Sequence, residues 1–141
     1  FKTINDTHGH KAGDRLLQLV SDRLRRLVRA GDLVARIGGD EFIVLSEQVG
    51  GGPLKRLGDR LVRELSQPYS LDDQIRVTVG ASIGIARAPD HGLDLESLMS
   101  AADSALYQAK SDGKSRCVIA PLPREAASRL LPQAAPLSTV A

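Results

Sequence analysis

The sequence predicts an α+β fold, and three observations carry that expectation. Apolar residues recur at spacings of three and four in three separate segments, the signature of amphipathic helices. Two short β-rich runs flank a Gly-Gly-Asp-Glu tetrapeptide, and a stretch in the middle of the chain alternates with period two. The resulting order of helix, hairpin, helix, strand, helix, strand mixes antiparallel pairing with helical connections. That order fits a helix-covered sheet better than a bundle or a sandwich.

The first helix is expected from Asp14 to Ala30, where Leu17, Val20, Leu24, Leu27 and Val28 form one apolar stripe until Gly31 stops it. Arg23, Arg25, Arg26 and Arg29 read as its solvated face, with Asp22 placed four residues before Arg26 for an ion pair. The runs LVARI and FIVL between Asp32 and Ser46 read as a hairpin, whose Gly38 and Gly39 can take the positive φ values a tight turn needs. Beyond QVGGG, Pro53 suits a first helical turn, and Leu54, Leu57, Leu61 and Leu65 repeat at helical spacing up to Gln67-Pro68. From Ile75 to Ile85 the apolar residues alternate strictly, which predicts one strand, or two meeting at a bend near Gly80. Asp94 is positioned to cap a third helix carrying Leu95, Leu98, Ala102, Leu106 and Ala109, ending near Asp112-Gly113. A last strand is expected over Arg116 to Ala120.

Length and composition narrow the function. A chain of 141 residues suits one core, here placed over residues 1–120. From Pro121 to Ala141 the chain turns rich in Pro, Ala and Ser without periodicity, so residues 121–141 are expected to be a disordered tail. Nineteen basic against 17 acidic residues give a net charge of +2, too balanced for a protein that mainly grips DNA or RNA. Aromatic residues at 3% leave no stacking platform for single strands. A single cysteine, Cys117, excludes an internal disulfide framework and reads as a small apolar strand residue. No run of about 18 apolar residues is present.

The sharpest chemical feature is Gly38-Gly39-Asp40-Glu41-Phe42. Two carboxylates at the tip of a rigid hairpin remain open to solvent, which suits a hard cation such as Mg²⁺ shared with substrate phosphates. Read alone, the tetrapeptide is better taken as an ordinary acidic turn, since turns favour these residues. Asn5 alone reads as a turn residue, Asp14 as a helix-start acid favoured by the dipole, and Lys110 as a cation at a helix C-terminus. His8 and His10 lack a third ligand for zinc and read as structural, and His91 in PDHG reads as loop chemistry.

The wider string decides between these readings. FKTINDTHGHKAGD, RAGDLVARIGGDEF, SIGIA and ADSALYQAKSDGK, in this order over residues 1 to 119, resemble the GGDEF domain of diguanylate cyclases. The resemblance implies a nucleotide-cyclase or palm-like (ferredoxin-like) central sheet of about five strands wrapped by helices. It also implies condensation of two GTP molecules into cyclic di-GMP and pyrophosphate across a homodimer of such domains, with Mg²⁺ or Mn²⁺ as cofactor. Carried over residue by residue, Asp40 and Glu41 match the catalytic and metal-binding acids. Asn5 and Asp14 match the guanine-reading pair, while Phe1, Lys2, Gly38, Gly39, Lys110 and Lys114 match other substrate contacts. Where the family ends its last motif Gly-Arg-Asn, this chain has Gly113-Lys114-Ser115, and lysine lacks the bidentate fork of arginine. Arg29 and Asp32 in RAGD match the family's RxxD inhibitory site for cyclic di-GMP, with Arg60 as a further contact.

In that family the residues before Phe1 read Asp-x-Asp-x-Phe-Lys on the first strand, and the earlier aspartate is a metal ligand. The resemblance therefore implies that the first strand and one metal ligand are missing from this chain, and that the 141 residues alone are weakly stable or weakly active. An upstream sensor domain and a cytoplasmic location, in a parent protein that is membrane-anchored or free, follow from the same resemblance and from the need for GTP. The competing reading is a non-catalytic module that binds GTP or cyclic di-GMP and signals to a partner. A single-substrate nucleotide cyclase fits less well with the Gly-Gly-Asp-Glu-Phe turn and RAGD.

Overall fold

The computed structural model describes residues 1–47 and 51–123. The chain runs α1 (Lys2–His8), α2 (His10–Leu27), β1 (Leu33–Gly38), β2 (Glu41–Leu45), α3 (Gly51–Leu65), β3 (Tyr69–Ser70), β4 (Arg76–Val77), β5 (Ile83–Ile85), α4 (Leu95–Ser111) and β6 (Cys117–Ile119). The mixed α and β architecture agrees with the expectation. Its strands pair in twos: β1 with β2 and β3 with β4 antiparallel, β5 with β6 parallel. Among the described residues each strand thus has one ladder partner. The β1–β2 and β5–β6 pairs are nevertheless held together by apolar packing, because both rest on one cluster.

That cluster centres on Leu24 of α2 and on Leu61 and Leu65 of α3, joined by Val20, Leu27, Val34, Phe42, Val44, Leu57, Ala81 and Ile83. Each fully buried leucine contributes about 1.5–3 kcal/mol. Strand alternation explains which hairpin residues join. In the ladder, Val34 lies opposite Val44 and Arg36 opposite Phe42. This face meets α2 and α3, whereas Leu33 and Leu45, paired on the other face, stay exposed.

On the far side α4 packs across β5 and β6, burying Ala105 and Ala109. Gly84 makes that approach possible. A Cβ there would lie 2.0 Å from the Ala102 carbonyl oxygen and 2.4 Å from the Leu106 nitrogen. Asp94 caps α4 as expected, its carboxylate accepting from the Ser97 backbone N–H at 2.8 Å. Donation from that N–H holds the Asp94 carboxyl below the usual carboxylate range.

Several boundaries differ from the sequence reading, each for a physical reason. Residues 2–8, which include Asn5, form a helix rather than a turn, and α2 begins at His10 because Gly9, at φ 82°, joins the two helices. The alternating stretch breaks into β4 and β5 around residues 78–82, consistent with a bend near Gly80. Of the two turn glycines only Gly39 has positive φ, at 46°, while Gly38 ends β1. Leu95, expected in the apolar stripe, is the first residue of α4 and is exposed. The bulk of the expected tail, residues 124–141, and residues 48–50 of QVGGG lie outside the described residues.

Candidate functional site

The hairpin tip is built by β1 and β2. Their register runs from Leu33 opposite Leu45 to Gly38 opposite Glu41, with an irregularity between Arg36 and Gly38 that leaves Ile37 unpaired and exposed. Gly39 and Asp40 make the two-residue turn. The turn is held from below by Arg36, whose Nε donates to the Gly39 carbonyl at 2.9 Å. Sequence reasoning missed Arg36; its signal was a cation four residues before the acidic pair. Asp40 and Glu41 are both exposed at this tip. Among the described residues no group of three or more His, Cys, Asp and Glu side chains could hold a metal. Two adjacent, open carboxylates do fit Mg²⁺, which commonly takes one or two carboxylates and completes its octahedron with water and substrate phosphates.

A second pair of residues is set by the packing of α1 on α2. Asn5 is partly buried on α1, and its Oδ1 is buried without a hydrogen-bond partner. It lies against Gly13, the residue before the exposed Asp14. A side-chain amide and a carboxylate are thereby placed on adjoining turns of two helices. Phe1 stands at the start of α1, its carbonyl accepting from the backbone N–H of Ile4 at 3.0 Å, and Lys2 follows it, exposed. Exposed His8 and His10 flank the α1–α2 junction at Gly9.

Lys110 and Lys114 meet at the end of α4. Lys110 lies in the last turn, and the Lys114 N–H returns to the Ala109 carbonyl at 3.0 Å. Lys114 and Ser115 both sit at positive φ, 62° and 45°, a conformation that Asn tolerates and Ser does not favour. No hydrogen bond or ion pair among the described residues joins this end of α4, or the Asn5–Asp14 pair, to the hairpin tip.

The RAGD segment does converge with Arg60. A cleft of about 470 Å³ is lined by Arg26, Leu27, Val28, Arg29 and Asp32 on one side and by Pro53, Arg56, Leu57 and Arg60 on the other. Asp32 is locked into a tight loop: its carboxylate accepts from the Arg29 backbone N–H at 2.9 Å, and its own N–H donates to the Arg29 carbonyl at 3.0 Å. The Arg29 N–H holds the Asp32 carboxyl below the usual range, so it remains ionised throughout the neutral range. Arg60 donates to the Leu27 carbonyl at the end of α2, tying the two walls together. Arg26 and Arg56 enter the same cleft and were missed. Arg56 precedes Arg60 by one helical turn, which was the available signal.

Two residues have firmer structural duties than their sequence suggested. Arg23 is no solvated cation: its guanidinium donates to the Glu64, Gln67 and Pro68 carbonyls and lies 3.6 Å from the centroid of the Tyr69 ring. His91 is buried rather than loose, with Nε2 at 2.8 Å from the Ala120 carbonyl and Nδ1 at 3.0 Å from the Arg87 nitrogen. An N–H donates to an imidazole nitrogen only when that nitrogen is bare, so the ring carries its proton on Nε2 and donates to Ala120. Cys117 is buried in β6, and burial pushes its thiol up to about 11.

Known proteins resemble this chain in sequence and in fold. The family model described as "Diguanylate cyclase, GGDEF domain" matches residues 1–116. The bifunctional diguanylate cyclase/cyclic di-GMP phosphodiesterase MucR of Pseudomonas aeruginosa is 45% identical over 114 residues, covering 81% of this chain and 16% of that protein. The chain thus spans about a sixth of that relative's length. The crystal structure of the GGDEF domain of TpbB (YfiN) from Pseudomonas aeruginosa superposes with a TM-score of 0.80 at 38% identity, covering 87% of this chain and 77% of that one. The GGDEF domain of DgcB from Caulobacter crescentus, solved in complex with c-di-GMP, gives a TM-score of 0.71 at 29% identity, covering 84% and 71%.

Proposed function

The chain belongs to the diguanylate cyclase GGDEF domain family, and from that premise we propose that it forms part of an enzyme condensing two GTP molecules into cyclic di-GMP. The observation that carries the reading is the exposed Asp40–Glu41 pair on a turn fixed by Gly39 and Arg36.

In this reading Asn5 and Asp14 hold the guanine. The Asp14 carboxylate accepts from the base N1–H and N2–H groups, a donor pattern that adenine does not present. Lys2, Lys110 and Lys114 neutralise the phosphates, and Phe1, Gly38 and Gly39 supply further substrate contacts. Asp40 and Glu41 would hold Mg²⁺ or Mn²⁺. Bound there, the cation would activate the attacking hydroxyl and stabilise charge on the leaving pyrophosphate. Each domain holds one nucleotide, and two domains face each other so that the 3′-hydroxyl of one GTP meets the α-phosphate of the other. The protein's contribution is positioning and charge neutralisation.

Product would act back at the cleft of Arg29, Asp32 and Arg60. Arginine stacks on guanine and forks to phosphate, so this cleft suits a guanine-bearing polyanion. The same cleft favours a second reading, a non-catalytic module that binds cyclic di-GMP and signals to a partner, because its four arginines need no catalytic tip.

Incubation of the full-length protein with GTP and Mg²⁺, followed by chromatography, separates the two. The enzyme reading expects cyclic di-GMP from the wild type and a loss of at least 100-fold in Asp40→Ala and Glu41→Ala. Cyclic di-GMP binding without any turnover would leave the module reading.

A further inference from the structure

Gly13 is buried at the start of α2, and what occupies the space of its absent side chain is Asn5. A Cβ on Gly13 would lie 1.8 Å from Asn5 Oδ1, 2.8 Å from its Cγ and 3.3 Å from its Nδ2. The whole amide therefore lies against the α2 backbone. Its oxygen is buried and finds no hydrogen-bond partner, so no polar contact within the described residues fixes that atom's position. Shape does so instead.

We propose that Gly13 is a positioning residue for base selection: its missing side chain seats the Asn5 amide beside Asp14, so that the two groups address one purine at a fixed separation. The inference rests on the guanine-reading role proposed above for Asn5 and Asp14. The physical reasoning is preorganisation. A pair of polar groups held in register before binding loses little freedom when the ligand arrives, and a misplaced amide leaves base edges unpaired. Any side chain at position 13 must push Asn5 out of its seat. α1 and α2 are joined by the single residue Gly9, which leaves the pair little room to spread.

The test uses the full-length protein and measures dissociation constants for a slowly hydrolysed GTP analogue and its ATP counterpart. Five forms are compared: wild type, Gly13→Ala, Asn5→Ala, Asp14→Ala and the Gly13→Ala/Asn5→Ala double variant. Gly13→Ala is expected to weaken GTP-analogue binding about tenfold and to lower the guanine-over-adenine preference similarly. In the Asn5→Ala background the same substitution is expected to add less than twofold. An unchanged preference in Gly13→Ala, or an equal loss in both backgrounds, overturns the proposal. Should Gly13→Ala fail to fold, the double variant, in which the obstruction is gone, is expected to fold and melt with Asn5→Ala; its failure to do so also overturns it. If Asn5→Ala and Asp14→Ala both keep the wild-type preference, the guanine-reading role itself is refuted, an outcome visible without any change at Gly13.

Discussion

Replacing Arg23 by alanine should destabilise the protein by about 2–4 kcal/mol, far more than removal of a solvated cation. The guanidinium lies at the C-terminal end of α3, where carbonyls have no helical partners and the helix dipole is negative. It meets the Glu64 carbonyl at 3.0 Å, the Gln67 carbonyl at 2.7 Å and the Pro68 carbonyl at 2.9 Å. Hydrogen bonds from a charged donor contribute about 1.5–3 kcal/mol when well shielded. Two of these three are exposed, so about 2 kcal/mol for the set is the reasonable sum. Stacking at 3.6 Å over Tyr69, whose ring is buried, adds about 1 kcal/mol. Urea titration followed by far-UV circular dichroism reads the loss, and in thermal melts it corresponds to roughly 10 °C. Arg23→Lys keeps the charge but has no fork, so it should recover less than half. A loss below about 0.5 kcal/mol for Arg23→Ala, the range of ordinary surface charges, would refute the clamp.

The remaining predictions follow from local geometry. Gly84→Ala should cost about 1–3 kcal/mol or more, because the added carbon meets backbone atoms of α4 that cannot swing aside; chemical denaturation measures it, and a cost under about 1 kcal/mol contradicts the close approach. Cys117 should resist a thiol reagent at pH 8 until denaturant is added. Its folded pKa of about 11 exceeds the ordinary 9, so the unfolded state sheds a proton first and stability should fall as pH rises above about 9; a Cys117→Ala variant lacking that alkaline decline serves as the control. Ser115→Asn should raise stability by about 0.5–1 kcal/mol, since Asn tolerates the φ of 45° better than Ser, and an unchanged melting temperature would count against strain there. Arg29→Ala and Arg56→Ala should each weaken cyclic di-GMP binding at least tenfold in calorimetry while leaving GTP-analogue binding within twofold; an effect confined to Arg29 would remove Arg56 from the cleft's function.

Periodicity made the long elements legible. The stripe around Leu24, the Leu61–Leu65 repeat and the cap at Asp94 all describe interactions between residues within a few positions of one another, and these the sequence states directly. The turn at Gly39-Asp40 was legible for the same reason. What escaped was set by distant partners. Arg23 looks like one of four arginines on a solvated face, and only the arrival of the α3 C-terminus 41 residues later gives it three acceptors. His91 gains its role from Ala120, 29 residues away. Arg56 joins the RAGD cleft only because α3 lies across the end of α2. The short strands β3 and β4 lie at the margin of detection, since two residues cannot display a period.

Strand β1 gives the two proposed sites a definite relation. Asp32, in the cleft, immediately precedes Leu33, where the strand begins, and Gly39 of the tip immediately follows Gly38, where it ends. Six extended residues put the two sites about 20 Å apart along one rigid element. The cleft and the tip thus share no residue and lie at opposite ends of the strand. Two routes for an influence of the cleft on the tip are travel along β1 and restraint of the domain as a body. Travel along the strand has a named obstacle in the irregularity at Ile37, where the ladder to β2 is interrupted before the turn. A small displacement of Asp32 would be absorbed there unless the Arg36–Gly39 hydrogen bond carries it across. Arg36→Ala thus distinguishes the routes. If product inhibition runs through the strand, that variant should keep cyclic di-GMP binding in the cleft yet lose inhibition of its residual activity. If inhibition acts by immobilising whole domains, the inhibition constant should stay within twofold of the wild type.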